Sequence, residues 1–274
     1  MFFTRLLSSI GILLLYVFVL IFANTPVLNI FVAVVGVSCV YELFKCTGYR
    51  ESKMFLAPSV LVPVIFAFSE YIDISTEIIL VLYILFALTW LVFTYEKTTN
   101  FSNLAVLCFM TIFVSYCLSA IISLRTITHS QLHINYQFIF LMIFGASISD
   151  VFAYLFGITM GRHKLVPLLS PKKTVEGAVG SIFGTAAVFT VYAFVLTYAF
   201  SINTDPIGFF VLGAVVSVVS QIGDLSASLI KRYYGIKDYS KLIPGHGGVM
   251  DRVDSWLFVA PLIYFFVNLG LLKF

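Results

Sequence analysis

Long apolar runs, each closed by a short polar cluster, follow one another along the whole chain. They predict helical spans near residues 6–23, 27–44, 54–71, 76–94, 104–124, 136–160, 175–200, 207–230 and 255–272. The interruptions carry turn chemistry: Asn24-Thr25-Pro26, Thr47-Gly48-Tyr49 and Asn203-Thr204-Asp205-Pro206. No internal repeat or low-complexity stretch is visible. The expected fold class is therefore all-α, a polytopic integral membrane protein of about nine transmembrane helices.

Charge gives these spans a direction. With the N-terminus in the cytoplasm, fourteen of the 16 Lys and Arg residues fall on cytoplasmic segments, leaving only Arg125 and Lys273 outside. The break containing Glu70, Asp73 and Glu77 has no Lys or Arg and falls outside. Removing one early span would reverse every later loop and put the richest basic loops on the wrong side. The expectation is an N-terminus inside, a C-terminus outside, and chemistry on the cytoplasmic face. The run after Arg5, from Leu6 to Ala23, is longer than the ~7–15 apolar residues of a signal peptide and ends without a clear cleavage site. It reads as a retained first span.

Composition excludes other classes. Of 274 residues, 61% are apolar and 11% charged, against about 45–50% and about 25% in soluble domains. A cytosolic globule, a disordered chain and a disulfide scaffold are ruled out. A net charge of +3 is too mild to suggest nucleic acid. Cys39, Cys46, Cys108 and Cys117 form no CxxC pair and read as structural thiols. The aromatic content, with 29 Phe, reads as packing and lipid-facing surface.

With so few charges, their concentration is informative. Asp150 lies inside an apolar run, where a carboxylate costs at least ~2.5 kcal/mol and needs a cavity, a cation or a partner. Downstream, Ser170-Pro171-Lys172-Lys173-Thr174 combines hydroxyls and cations at a helix start, which suits a polyphosphate. The plain alternatives are an Asp–Lys pair that packs, and a basic flank that only sets topology. A second cluster, Gly223-Asp224-Leu225-Ser226-Ala227-Ser228 with Lys231 and Arg232, closes the eighth span. Asp224, Ser228 and Lys231 share one helix face. A third holds Lys237-Asp238 and Pro244-Gly245-His246-Gly247-Gly248-Val249-Met250-Asp251-Arg252-Val253-Asp254. Its glycines let backbone approach a ligand. Asp224 and Asp251 with a glycine-rich basic loop match the needs of Mg²⁺-dependent nucleotide chemistry, since Mg²⁺ takes a few carboxylate oxygens and keeps positions for phosphate. His129 and His133 read as solvated, and His163 as part of a basic flank. His246 is the histidine placed for phosphate contact or acid–base work. There is no HExxH, GxSxG or Walker-type loop.

The stretch Ser228-x-Ile230-Lys231-Arg232-x4-Lys237-Asp238-x-Ser240-x2-Ile243-Pro244-x-His246-Gly247-Gly248-Val249-x-Asp251-Arg252-Val253-Asp254 resembles the signature of the phosphatidate cytidylyltransferase (CDP-diglyceride synthetase) family. Asp150-x-x-Ala153-Tyr154, Gly161-x-His163-Lys164 and Ser170-Pro171-Lys172-Lys173-Thr174-x-Glu176-Gly177 also resemble family segments. The likeness covers residues 145–255. The first five spans show only generic apolar character. Ala227 stands where many members carry Glu, and Val175 where Trp is common.

The resemblance implies an integral membrane enzyme that converts CTP and phosphatidic acid into CDP-diacylglycerol and pyrophosphate in phospholipid biosynthesis. It implies Mg²⁺, with Asp224 and Asp251 as metal ligands in a centre that can include a second metal or K⁺. Ser228, Lys231, Arg232 and His246 join those aspartates as expected catalytic residues. Asp150, Ser170, Lys172, Lys173, Thr174, Lys237, Asp238, Gly247, Gly248, Arg252 and Asp254 form the expected substrate-binding set. The expected organisation is an N-terminal helical region, 1–130, and a catalytic region, 131–274. The expected setting is the bacterial inner (plasma) membrane, and a homodimer is compatible with the resemblance. A CTP-using prenol kinase is the nearest rival and would release CDP instead of pyrophosphate. An ion or proton transporter coupled through Asp150 and Asp224 would need inverted repeats and broken helices, and neither is visible.

Overall fold

The structure is a computed structural model that describes residues 2–48, 53–72, 74–94, 101–127 and 137–272. Tyr49, Arg50, Asp73, Lys97, His129, His133 and Lys273, used in the sidedness argument or weighed above, lie outside the described residues. Helices α1 (Phe2–Ile21), α2 (Pro26–Cys46), α3 (Lys53–Ile72), α4 (Thr76–Thr94), α5 (Phe101–Thr126) and α6 (Gln137–Thr159) come first. A short hairpin follows, β1 (Lys164–Val166) and β2 (Ser170–Thr174), then α7 (Val175–Phe200), α8 (Pro206–Tyr233), α9 (Met250–Val253) and α10 (Trp256–Asn268). Seven of these, α2 to α8, are long and apolar enough to cross a membrane.

Local chemistry explains the boundaries. Thr25 caps α2 by accepting from the Val27 N–H at 3.3 Å, with Pro26 at the first helical position. Asp205 accepts from the Ile207 N–H at 3.0 Å at the head of α8, again before a proline. Thr174 caps α7 through the Gly177 N–H. Lys231 and Arg232 close α8, complementing its negative end. At 28 residues, α8 is about 42 Å long, well beyond the ~30 Å hydrocarbon core. It is long enough to carry its charged last turns past that core. By contrast α10 has 13 residues, about 20 Å, shorter than the span expected at 255–272.

The chain forms two compact units, Met1–Ile122 with Tyr233–Val253, and Ser123–Arg232 with Asp254–Phe274. In the first, α2 packs on α3, and a buried group of Val62, Phe66, Ile79 and Tyr83 joins α3 to α4. The Tyr83 hydroxyl meets Ser59 Oγ at 2.9 Å in that interior. In the second, α6 and α7 make the most extensive helix pairing. Gly180 and Gly184 of α7 give way to Phe156 and Phe152 of α6. A Cβ at either glycine would lie 2.3 and 2.5 Å from those rings, so the helices could not close with larger residues. Below this lies a buried polar knot: Ser217 Oγ is 3.0 Å from both Ser149 and Ser181, and Gln221 Nε2 donates to Ser181 Oγ at 2.7 Å. Interhelical hydroxyl and amide bonds of this kind hold helices together where apolar contact gains nothing over lipid.

The hairpin adds an element to the all-α expectation. β1 and β2 pair antiparallel, Lys164 with Thr174 and Val166 with Ser170, across a bulge. The Ser-Pro-Lys-Lys-Thr motif is thus a strand, shaped before the helix begins. Leu168 at its tip is 94% exposed.

Candidate active site

In the second unit the hairpin delivers Lys172, Lys173 and Thr174 to the start of α7. Thr174 is buried, and its hydroxyl accepts from the Gly177 N–H at 3.1 Å. Glu176 binds the turn before β1: it accepts from the backbone N–H of Arg162 at 3.0 Å and of His163 at 3.2 Å, and meets His163 Nδ1 at 2.6 Å. These bonds fix where the hairpin that bears the lysines begins. An open depression of about 550 Å³ lies over them, lined by Arg162, His163 and Glu176.

A smaller cleft of about 170 Å³ is lined by Asp150, Tyr154, Lys172, Lys173, Thr174 and Gln221. It has room for about five waters at ~30 Å³ each. That suits a phosphate-sized part of a ligand; whole small-molecule pockets run to ~300 Å³ or more. The Lys173 ammonium is ion-paired with Asp224 Oδ2 of α8. Asp254, in the turn ahead of α10, is buried; burial first, and then the charge of Asp224, pushes its carboxyl up to about 7. The Ser255 N–H and Lys231 pull it down, and Asp150 adds a further upward push. Asp150, Asp224 and Asp254 therefore sit in one electrostatic neighbourhood with Lys231, which is only 9% exposed. Arg232 is exposed, with its Nε 3.5 Å from the Leu169 carbonyl. Ser228 is half-buried on α8, and Ser170 is half-buried at the start of β2. Ala227 is buried on α8, with no carboxylate to offer.

In the first unit, Lys237, Asp238, His246, Gly247, Gly248, Asp251 and Arg252 lie on the loop between α8 and α9 or on α9. Ile243 and Gly247 pair their backbones, at 2.9 Å and 3.2 Å, and make a tight turn around Pro244-Gly245-His246. Asp251 Oδ2 accepts from the N–H groups of Gly248 at 2.9 Å and Tyr239 at 3.0 Å. Gly247 has φ +87°, and a Cβ there would be 2.9 Å from Asp251 Oδ2, so glycine is needed on both counts. Lys237, Asp238 and Arg252 are exposed.

Three helices of the expected generic region hold this loop. Ser8 of α1 meets His246 Nδ1 at 3.1 Å and donates to the Pro244 carbonyl at 2.9 Å. Tyr234 donates to Asn103 of α5 at 3.1 Å, which donates in turn to the Thr47 carbonyl after α2. Glu42 of α2, 3% exposed, accepts from Ser240 Oγ at 2.5 Å, Val249 N–H at 3.0 Å and Met250 N–H at 2.9 Å. None of Ser8, Glu42 or Asn103 was among the expected site residues. An acid inside an otherwise apolar span was the available signal for Glu42, the same rule that singled out Asp150.

The chemistry of the donors suits a hard cation. Mutually repelling carboxylates such as Asp150, Asp224 and Asp254 are oxygen ligands of the type Mg²⁺ takes, with water and phosphate completing its shell. Among the described residues no three His, Cys, Asp or Glu side chains already form a metal cage.

The profile of the Cytidylyltransferase family matches residues 3–270. The chain belongs to that family. Within it, the phosphatidate cytidylyltransferase of Bacillus subtilis is 29% identical over 274 residues, spanning 97% of each chain. That of Synechocystis is 43% identical over 121 residues, 44% of this chain and 40% of its own. That of Staphylococcus aureus is 42% identical over 118 residues, 42% of this chain and 43% of its own. Membership of the Cytidylyltransferase family covers α1 to α10, the first five helices included.

Proposed function

We propose that this chain is a phosphatidate cytidylyltransferase, transferring CMP from CTP to phosphatidic acid to give CDP-diacylglycerol and pyrophosphate. The observation that carries this reading is the full-length family match on a chain of membrane-spanning helices, together with clustered carboxylates and lysines suited to phosphate. A phosphatidate phosphate oxygen attacks the α-phosphorus of CTP, forming the new P–O bond as the bond to pyrophosphate breaks. Such transfers ask the protein mainly for positioning and charge neutralisation. Lys172 and Lys173 neutralise phosphate charge, with Lys231 and Arg232 acting likewise at the end of α8. Thr174 offers its hydroxyl proton to a phosphate oxygen while its lone pair holds Gly177. Gly247 and Gly248 leave room for close backbone approach, and His246 contributes hydrogen bonding. Asp224 and Asp251 are the candidate ligands for Mg²⁺, which when bound neutralises charge on the triphosphate. Ser228, Asp150, Lys237, Asp238, Arg252 and Asp254 complete the proposed polar surroundings.

The acyl chains remain in the bilayer while the headgroup meets the nucleotide at the cytoplasmic face of the bacterial inner membrane. Sidedness rests on the distribution of Lys and Arg. A homodimer is part of the same proposal. The test is purified protein in mixed micelles with CTP, phosphatidic acid and Mg²⁺. Formation of CDP-diacylglycerol, abolished by a chelator and restored by Mg²⁺, supports the reading; full activity in chelator refutes the metal dependence.

A further inference from the structure

Glu42 sits near the end of α2, two hundred residues from the motif it touches, yet both of its carboxylate oxygens are committed to that motif. Oε1 accepts from the Ser240 hydroxyl and the Val249 N–H, and Oε2 accepts from the Met250 N–H. Val249 and Met250 stand at the head of α9, where the first backbone N–H groups of a helix lack an intrahelical acceptor. Glu42 therefore caps α9 from another helix, and the next residue along is Asp251. The fit is close, because a Cβ on Gly248 would lie 2.6 Å from Glu42 Oε2. From its own side Asp251 gathers Gly248 and Tyr239 onto Oδ2. The two carboxylates grip one loop: Glu42 holds residues 240, 249 and 250, and Asp251 holds residues 239 and 248.

We infer that Glu42 is a positioning residue for cytidylyl transfer, setting the orientation of the Asp251 carboxylate by capping α9. It touches neither substrate nor metal on this account. The inference rests on the reading that the loop bearing Asp251 belongs to the catalytic machinery. Its chemistry is specific. Three donors converge on Glu42, so an amide of the same shape would turn one acceptor into a donor facing Ser240 or a backbone N–H. A carboxylate one methylene shorter keeps both acceptors but pulls them back.

The test compares Glu42→Gln, Glu42→Asp, Ser240→Ala and Asp251→Asn in the full-length purified protein. It measures kcat, the KM for phosphatidate, the Mg²⁺ concentration for half-maximal rate, and thermal unfolding. For Glu42→Gln the expected result is a kcat at least tenfold lower and a Mg²⁺ requirement raised several-fold, with the KM for phosphatidate within twofold. Glu42→Asp should recover part of the rate, and Ser240→Ala should lose about twofold to threefold. A folded Glu42→Gln with wild-type kcat and Mg²⁺ dependence overturns the inference, as does a rate loss with no change in Mg²⁺ requirement. If Glu42→Gln does not fold, Glu42→Asp and Ser240→Ala decide, and an unchanged Mg²⁺ requirement in both overturns it. Wild-type activity in Asp251→Asn instead refutes the underlying reading of the loop.

Discussion

Asp224 and Asp251, the two acids singled out for a metal, are held in contrasting ways. Asp224 faces a full positive charge, the ammonium of Lys173. Asp251 is held by backbone dipoles, accepting from the N–H groups of Gly248 and Tyr239. An ion pair compensates a carboxylate by charge, and a cation arriving at Asp224 competes with Lys173 for it. Backbone donors fix a carboxylate in direction and bring no full charge of their own. The first acid therefore sits on α8 and pairs with a side chain of the hairpin, whereas the second, on α9, is tied to the backbone of the loop that leads into it.

The sharpest way to break this contrast is to neutralise each acid in turn. Asp224→Asn and Asp251→Asn should each lower CMP transfer by at least ~10²-fold, the scale of losing one charge-stabilising group. They should differ in stability: Asp224→Asn, which leaves the buried Lys173 ammonium without its counter-charge, lowers the unfolding temperature, and Asp251→Asn, whose amide oxygen still accepts from Gly248 and Tyr239, changes it less. Equal stability losses would show that the two acids are held alike. Next in size, Lys173→Ala should cost about tenfold or more in kcat/KM for CTP, the order of one or two charge-assisted hydrogen bonds. Lys172→Ala, which lines the same cleft without the Asp224 partner, should cost less. Reversal of that order would remove the special place of the Lys173–Asp224 pair.

Much of the architecture was legible in the chain. The expected span at 175–200 and the helix Val175–Phe200 coincide, and the other expected spans from the second to the eighth agree with α2–α8 within a few residues, whereas α10 is shorter than the span expected at 255–272. A helix in lipid must satisfy its own backbone, so apolar run length alone almost defines it. The polar motifs were legible for the complementary reason, that each charge in so apolar a chain needs a partner. The hairpin was not, because Ser170–Thr174 pairs with a strand of three residues whose apolar Leu165 and Val166 carry no turn signature of their own. Ser8, Asn103 and Glu42 were missed because their importance comes from partners up to 238 residues away. No local spacing records such contacts.

Smaller effects refine the comparison. Gly247→Ala should cost about 1–3 kcal/mol from its positive φ, with a further loss of rate because its Cβ would press on Asp251. Gly235→Ala, at φ +66° with open space around it, should carry the backbone cost but leave kcat within twofold. Equal rate losses at both would disconnect the turn from Asp251. The smallest effect is expected at Ser217→Ala in the buried knot of α6, α7 and α8. About 1 kcal/mol of stability should be lost, seen as a lower unfolding temperature at nearly unchanged activity.

The fate of the γ-phosphate of CTP tests the account most directly. With γ-labelled CTP and phosphatidic acid, cytidylyl transfer sends all label into free pyrophosphate, in step with CDP-diacylglycerol, and none into lipid. Label appearing in a lipid together with CDP would make this a kinase and contradict the account.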